Sequence, residues 1–108
     1  MPFALVYITA KDQKEAEFIA KTLLEQKLIA CANIFPESTA LFWWQERMNK
    51  TSEAVLLAKT KNSLLKKLEL VVVKIHSYDT PCIVAVPLSF QSKKYSAWLK
   101  KTLSSQKK

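Results

Sequence analysis

The chain contains no glycine in its 108 residues, and this absence constrains its fold more than any other feature. Glycine adopts a left-handed backbone without steric cost, so each left-handed turn position must be taken by asparagine, aspartate or another residue at some cost. Glycine-rich phosphate loops are also excluded, because in them the backbone must approach the phosphates closely. The P-loop and the dinucleotide-binding fingerprint are therefore both ruled out.

The size and composition are those of one globular domain. A chain of this length has room for a single core, and we assign residues 1–108 to one domain. Hydrophobic residues make up 49% of the chain and charged residues 24%, which is too apolar for a disordered chain. No apolar run reaches the roughly 20 residues of a membrane helix, and the apolar segment 2–8 has neither a basic leader nor a cleavage pattern. We therefore expect a cytoplasmic protein.

The charge is positive and unevenly distributed. The net charge is +8, and residues 80–108 contain six lysines and no acid. Such a cluster could attract anionic partners, which makes a nucleic-acid or anionic-surface binding module one interpretation. However, arginine makes most of the forked contacts to phosphate and guanine, and Arg47 is the only arginine. We favour the alternative, a solvated lysine face that keeps an oligomer soluble.

The first 60 residues predict a strand, a helix and further strands. Segment 3–9 is short, β-branched and aromatic, which is typical of a buried strand. Asp12 is followed three residues later by Glu15, a capping-box pattern, and the next apolar residues recur at helical spacing. Strand composition recurs at 28–35, 39–45 and 54–60, with a turn at 36–38 and a polar hairpin over 46–53.

The remaining residues predict two helices and an edge strand. Ser63 is placed to cap a second helix, although the three valines at 71–73 disfavour helix. Segment 82–88 is a further strand, and Ser92 is placed to cap a terminal helix. The order βαββαβ plus a terminal helix predicts an α+β fold of the ferredoxin-like type.

Three adjacent aromatic residues indicate that the sheet needs a partner. Phe42, Trp43 and Trp44 follow one another on a predicted strand, so large rings point to both faces of the sheet. The two main helices of a ferredoxin-like fold cover only one face. In so small a chain the other face is expected to be covered by another subunit.

Five segments stand in order along residues 3–103: VYITA at 6–10 leading into Asp12; ACANI at 30–34; WW at 43–44 with LLAKT at 56–60; HSYDTP at 76–81; and Tyr95 followed by WL at 98–99. Together they resemble the CutA family, also called divalent-cation tolerance proteins. The resemblance implies a homotrimer of ferredoxin-like subunits in which extended strands complete the sheets of neighbouring subunits. It also implies divalent copper binding, metal tolerance, and an architecture similar to that of PII signalling proteins, with ligand sensing at clefts between subunits.

The chain departs from the family pattern at three places. It has Gln45 and Glu46 where glutamate and glycine are usual, and Ser77 where proline is usual. Cys82 stands where the family has a glutamate. Because a soft sulfur replaces a hard carboxylate oxygen there, a site containing this thiolate would favour Cu(I) or Zn over Cu(II).

The metal ligands we predict are His76, Asp79 and Cys82, with Cys31 joining from a neighbouring strand. These residues offer nitrogen, oxygen and sulfur donors suited to copper, or alternatively to zinc. Their spacing matches no standard zinc motif, and we expect no metal to be required for folding. In the alternative interpretation His76 caps the end of a helix and Cys31 is an ordinary core residue. Both cysteines are expected to be reduced, since two thiols cannot form a disulfide framework.

A ligand cleft between subunits is predicted to be lined by aromatic residues. Trp43, Trp44, Tyr78 and Tyr95 are its candidate walls, and Lys59 is a candidate anion-binding group. The alternatives are that the rings simply pack in a core or interface and that Lys59 faces solvent.

The function we predict is that of a cytoplasmic, homotrimeric, divalent-metal-binding protein with no membrane partner. An enzyme that uses His76 as a general base, with Asp79 to orient it, would also need a nucleophile and an oxyanion site. The sequence offers no convincing candidate for either, so we expect no enzymatic activity.

Overall fold

A computed structural model describes residues 2–104, which form four strands and three α-helices. The elements are β1 (Phe3–Ala10), α1 (Gln13–Glu25), β2 (Cys31–Trp44), β3 (Arg47–Lys61), a 3₁₀ turn (Asn62–Leu64), α2 (Leu65–Ile75), β4 (Ile83–Pro87) and α3 (Lys93–Ser104). None of the helices in this part of the chain is long and apolar enough to cross a bilayer. The end of the basic segment, residues 105–108, lies outside the described residues.

The sheet has the strand order β2-β3-β1-β4, and every neighbouring pair is antiparallel. This is the order of the ferredoxin-like split βαβ arrangement, so the predicted α+β class is confirmed. β2 and β4 are the two edge strands. β1 lies near the middle of the sheet and positions the groups at both of its ends.

The predicted turn at 36–38 is wrong, because β2 runs unbroken through it. The register of β2 against β3 shifts between Phe35 and Ser38, which marks a β-bulge. Pro36 lies inside this bulge. A proline cannot donate a ladder hydrogen bond, and a bulge on an edge strand tolerates it. The segments 28–35 and 39–45 therefore belong largely to one strand.

The predicted hairpin is present, because β2 and β3 pair antiparallel up to Trp44 and Arg47. Only the predicted length of its connection is wrong: segment 47–53 is part of β3, which already begins at Arg47. The chain reverses in two residues, Gln45 and Glu46, whose φ angles are 52° and 66°. Most side chains of segment 47–53 are exposed to solvent, where polar residues are usual. We refer to residues 38–53, the part of β2 and β3 past the bulge, as the arm.

The capping pattern at the start of α1 is confirmed. The Asp12 carboxylate accepts a hydrogen bond from the backbone N–H of Glu15 at 2.9 Å, and Glu15 reaches back to the N–H of Lys11 at 3.0 Å. At the other end Lys27 takes a left-handed φ of 57°. Its N–H bonds to the Leu24 carbonyl and the Leu28 N–H bonds to the Leu23 carbonyl, which is the Schellman motif with lysine in the glycine position.

The main core lies between one face of the sheet and helices α1 and α2. Alternate residues of β1 and β3 point into it, as the two-residue period of a strand requires. Its fully buried members include Val6, Ile8, Ile19, Leu23, Leu56, Leu68 and Val72. Burying a side chain of this size stabilises the fold by roughly 1.5–3 kcal/mol.

The starts of the last two helices differ in how they are capped. Ser92 caps α3 as predicted, since its hydroxyl accepts the N–H of Tyr95 at 3.4 Å. Ser63 does not cap α2, because the 3₁₀ turn intervenes and α2 begins at Leu65 without a side-chain cap. The three valines at 71–73 are helical despite their low propensity, since Val72 is fully buried against the core. Tertiary burial outweighs local preference here.

The second face of the sheet is only partly covered. α3 packs at one end of it, where Leu99 and Leu103 bury Phe3. Farther along, apolar side chains of β1, β2 and β4 remain exposed, among them Tyr7, Phe35, Val84 and Val86. In the arm, Trp43 is 71% exposed and Trp44 50% exposed, so the rings on both faces of β2 are unburied within one subunit.

Candidate functional site

Two polar clusters lie at opposite ends of β1. The first, which we call the junction cluster, consists of Glu15, Glu53, His76, Tyr78 and Cys82 around Thr9. The second, the thiol cluster, consists of Cys31, Lys59 and Tyr95, and lies beside Leu5, which pairs with Lys59. Leu5 and Thr9 are four residues apart on one strand, so the clusters are separated by roughly 13 Å.

His76 is buried in the junction cluster with both ring nitrogens engaged. Its Nε2–H donates to the Thr9 carbonyl at 2.8 Å, and its Nδ1 accepts the N–H of Tyr78 at 3.0 Å. It also ends α2, where its own N–H bonds to the Val72 carbonyl. No ring lone pair remains for a metal unless a backbone hydrogen bond is broken, so this geometry favours the capping interpretation of His76.

Glu15 completes the junction and was not predicted as a site residue. Its carboxylate accepts N–H groups from Lys11 at 3.0 Å and from Ser77 at 2.7 Å. Burial acts to raise the pKa of Glu15, but these backbone donors and nearby His76 outweigh it and hold the pKa below its ordinary value. The capping pattern identified Glu15 locally. No sequence spacing signals its contact with Ser77, which is 62 residues away.

Tyr78 connects the junction to the beginning of the sheet's arm. Its hydroxyl donates to the Glu53 carboxylate at 2.8 Å, and its ring lies 4.8 Å from the His76 ring, centroid to centroid. Burial raises the pKa of Tyr78, and the hydrogen bond to Glu53 raises it further. The phenol is therefore a stable donor at neutral pH.

Cys82 is the accessible thiol of the junction. Its side chain is exposed. Partial burial of the sulfur raises the pKa of Cys82, the charge of Glu53 adds to this, and a hydrogen bond with Thr9 opposes it. The thiol is thus protonated at neutral pH, and a metal must displace the proton to bind there.

The four predicted metal ligands are not brought together in one subunit. His76 and Cys82 share the junction cluster, Asp79 is exposed nearby in the sequence, and Cys31 lies in the other cluster. Within residues 2–104, no three His, Cys, Asp or Glu side chains converge well enough to hold a metal ion. With the His76 nitrogens occupied as well, the residues of a single subunit do not fit a copper or zinc centre.

The thiol cluster joins three elements. The Cys31 sulfur lies 3.4 Å from the Tyr95 hydroxyl and 3.9 Å from the Lys59 amine. The amine also lies 5.6 Å from the Tyr95 ring centroid, and Trp98 packs against that ring at 5.4 Å. Lys59 is half-buried here rather than simply solvent-facing, contrary to the alternative considered for it.

The five predicted cleft residues are divided among three places. Trp43 and Trp44 lie in the arm, Tyr78 in the junction cluster, and Lys59 and Tyr95 in the thiol cluster. A shallow groove elsewhere follows the outer side of α3 and contains none of the five. It is lined by Phe90, Gln91, Lys93, Ala97, Lys100 and Lys101, among others.

The fold and its junction define the class of protein: a small ferredoxin-like α+β domain with a two-stranded arm and a partly uncovered sheet. The family model described as "CutA1 divalent ion tolerance protein" matches residues 4–102. The chain therefore belongs to the CutA1 divalent ion tolerance family.

Relatives of known name support the assignment over nearly the whole chain. The divalent-cation tolerance protein CutA of Archaeoglobus fulgidus is 41% identical over 98 residues, which covers 91% of this chain and 95% of that protein. The protein of the same name from Thermus thermophilus is 38% identical and covers 89% and 93%. The chain spans 56% of the chloroplastic CutA 1 of Oryza sativa, at 34% identity over 93% of this chain.

Solved structures agree with the fold. The structure titled as the periplasmic divalent cation tolerance protein CutA from Archaeoglobus fulgidus superposes with a TM-score of 0.90 at 39% identity, covering 94% of this chain and 98% of that one. CutA1 from Oryza sativa superposes with a TM-score of 0.91 at 33% identity, covering 94% of both chains. The names of these relatives place them in different compartments.

Proposed function

We propose that this protein is a cytoplasmic homotrimer that contributes to divalent-cation tolerance by binding a metal ion, with copper as the first candidate and zinc as the alternative, in clefts between subunits. The observation that carries the proposal is the apolar surface that a single subunit leaves open. It combines the uncovered sheet face around Tyr7, Val84 and Val86 with the aromatic arm.

The arm supports assembly in two ways. Apolar side chains are exposed on both of its faces: Leu41, Trp43 and Met48 on one face, each about two-thirds or more exposed, and Phe42 and Trp44 on the other. β2 is also an edge strand of 14 residues, so one side of its backbone has open hydrogen-bonding groups. Long, exposed, hydrophobic edges are normally paired or covered. Pairing with a neighbouring subunit would bury both the rings and the edge.

Assembly also bears on where a metal would bind. Among residues 2–104 of one chain the converging donors are too few, and His76 is already engaged, so the proposed site takes donors from two chains. Cys82 is exposed and could meet groups from a neighbour. Because its donor atom is sulfur, such a site would favour Cu(I) or Zn. A small ligand sensed in the same clefts, as in PII proteins, is compatible with this arrangement.

The test is a metal titration with matched thiol variants. Cu(I) and Zn affinities of the wild-type protein, Cys82→Ala and Cys31→Ala would be measured by competition with a chromophoric chelator. We expect Cys82→Ala to weaken binding by about tenfold or more, in the range seen when a supporting group is lost, and Cys31→Ala to leave it unchanged. Equal affinity and stoichiometry in the wild type and Cys82→Ala would remove the proposed site.

A second candidate function is supported by the lysines along the groove of α3. Lys93, Lys100 and Lys101 line it together, which would suit a nucleic acid or another anionic surface. Phosphate contacts release counterions, so affinity for a mixed-sequence DNA duplex should fall steeply with salt. Weak binding that does not change between low and moderate salt would dismiss this candidate.

A further inference from the structure

The thiol cluster places a nucleophile beside a cation and a phenolic hydroxyl. Cys31 comes from β2, Lys59 from β3 and Tyr95 from α3, and both neighbouring groups lie within 3.9 Å of the sulfur. Each of the three groups comes from a different element, so the cluster exists only in the folded chain. Its three groups are chemically different, and the metal site proposed above, which includes Cys82, uses none of them.

Lys59 has an unusual environment for a lysine. It is half-buried, and among residues 2–104 no carboxylate lies within ion-pair distance of its amine. Its amine lies instead beside the Cys31 sulfur, at 3.9 Å, and over the face of Tyr95, at 5.6 Å from the ring centroid. Buried ammonium groups usually have an anionic partner. The Cys31 sulfur is therefore the group beside which this cation is placed.

We propose that small hydroperoxides oxidise the Cys31 thiol to a sulfenic acid and are themselves reduced. Lys59 and Tyr95 assist by supplying positive charge and protons. The nucleophile in this reaction is a thiolate, and a neighbouring cation stabilises that form. The Tyr95 hydroxyl can donate a hydrogen bond to the sulfur. Burial and the neighbouring Cys31 raise the pKa of Tyr95 by more than Lys59 lowers it. The Tyr95 hydroxyl therefore keeps its proton at neutral pH.

The oxidation of Cys31 needs only the hydroperoxide, the groups of the cluster and solvent. The Cys31 thiol loses its proton to solvent, and its sulfur attacks one oxygen of the hydroperoxide. A sulfur–oxygen bond forms as the oxygen–oxygen bond breaks, and sulfur gives up two electrons to the peroxide. The leaving hydroxide or alkoxide takes a proton from Lys59 or Tyr95, which solvent restores. The products are a sulfenic acid and one molecule of water or alcohol.

Cys82 is a matched control within the same chain. It is the more exposed of the two thiols, so accessibility alone predicts that it reacts first. Yet burial and the charge of the Glu53 carboxylate raise the pKa of Cys82, whereas the charged group beside Cys31 is the Lys59 amine at 3.9 Å. The proposal therefore predicts the opposite order, with the half-buried thiol reacting first.

The experiment compares two single-thiol proteins, Cys82→Ser and Cys31→Ser, in their native assembly with a chelator present. Each is treated with hydrogen peroxide at pH 7 in the presence of a 1,3-diketone that traps sulfenic acid, and labelling is followed by intact mass. We expect the thiol at position 31 to react about tenfold faster or more than the thiol at position 82. Equal rates, or a faster reaction at Cys82, would overturn the proposal.

Variants of Lys59 test the role of the cation. In the Cys82→Ser background, Lys59→Met should slow labelling about tenfold, whereas Lys59→Arg, which keeps the charge, should retain most of the rate. An unchanged rate in a folded Lys59→Met protein would contradict the assignment. Circular dichroism and solution mass report whether each variant folds and assembles. The comparison of the two thiols leaves Lys59 intact, so it decides the proposal even if Lys59→Met does not fold. Because a chelator is present, the comparison of the two thiols is also independent of metal binding.

Discussion

Single buried side chains hold the end of β1 in place by hydrogen bonding to backbone groups from distant parts of the chain. Glu15 joins the start of α1 to Ser77, and His76 joins the end of α2 to Thr9. The local half of this arrangement is predictable, because a capping pattern depends on a spacing of three residues. The other half is not, since it depends on a contact between residues more than 60 positions apart. The contacts of His76 are equally invisible in the sequence. Its imidazole nitrogen suggested a metal ligand, whereas its hydrogen bonds show that it caps α2.

Replacing Glu15 should make the pH dependence of stability smaller. Because the pKa of Glu15 is below 4.5 in the folded protein, its contribution is present at neutral pH and is lost as the pH falls through its folded value. Glu15→Gln leaves a buried N–H without an acceptor, so it should cost about 1–3 kcal/mol at pH 7, and less near pH 3. Urea unfolding at one fixed protein concentration measures both.

The matched control for this change is Glu69→Gln, which removes an exposed carboxylate from α2. It should change stability little at either pH. A loss for Glu15→Gln that is as large at pH 3 as at pH 7 would show that charge-dependent hydrogen bonding is not the cause.

At the scale of elements, the absence of glycine leaves backbone strain in the turn of the arm, where two non-glycine residues have positive φ angles. A two-residue hairpin with positive φ at both positions favours Asn-Gly, and this chain uses Gln45 and Glu46 instead. The sequence predicted that left-handed positions would be filled by other residues, but it did not locate this turn, because the usual turn residues are missing. The polar arm and the bulge at Pro36 were misplaced for a related reason, since both have the composition of loops.

Restoring the preferred turn should stabilise the arm. The double change Gln45→Asn with Glu46→Gly removes left-handed strain and should raise the free energy of unfolding by about 1 kcal/mol or somewhat more. Thermal and urea unfolding would measure the gain. Glu46→Ala is the control, because it removes the same side chain without relieving the backbone. If alanine stabilises as much as glycine, backbone strain is not the source.

At the scale of the whole molecule, the chain has more apolar sheet than its helices cover. The helical periodicities and strand compositions were sufficient to predict the βαββαβ order, and the adjacent Phe42, Trp43 and Trp44 indicated exposed rings on both faces of a strand. Which ligand-cleft residues meet could not be predicted. Tyr78 contacts Glu53, whereas Lys59 contacts Cys31 and Tyr95. The arm tryptophans belong to neither cluster, and in the proposed trimer a neighbouring chain would bring them to one.

The proposed assembly is tested most directly by the mass of the protein in solution. Light scattering coupled to size exclusion, at micromolar concentration, should give a single species of three times the 12.4 kDa chain mass, because the open face and the arm are then buried between chains. A stable species at 12.4 kDa would contradict the account, since the arm and sheet face would then be exposed to water and no cleft between subunits would exist.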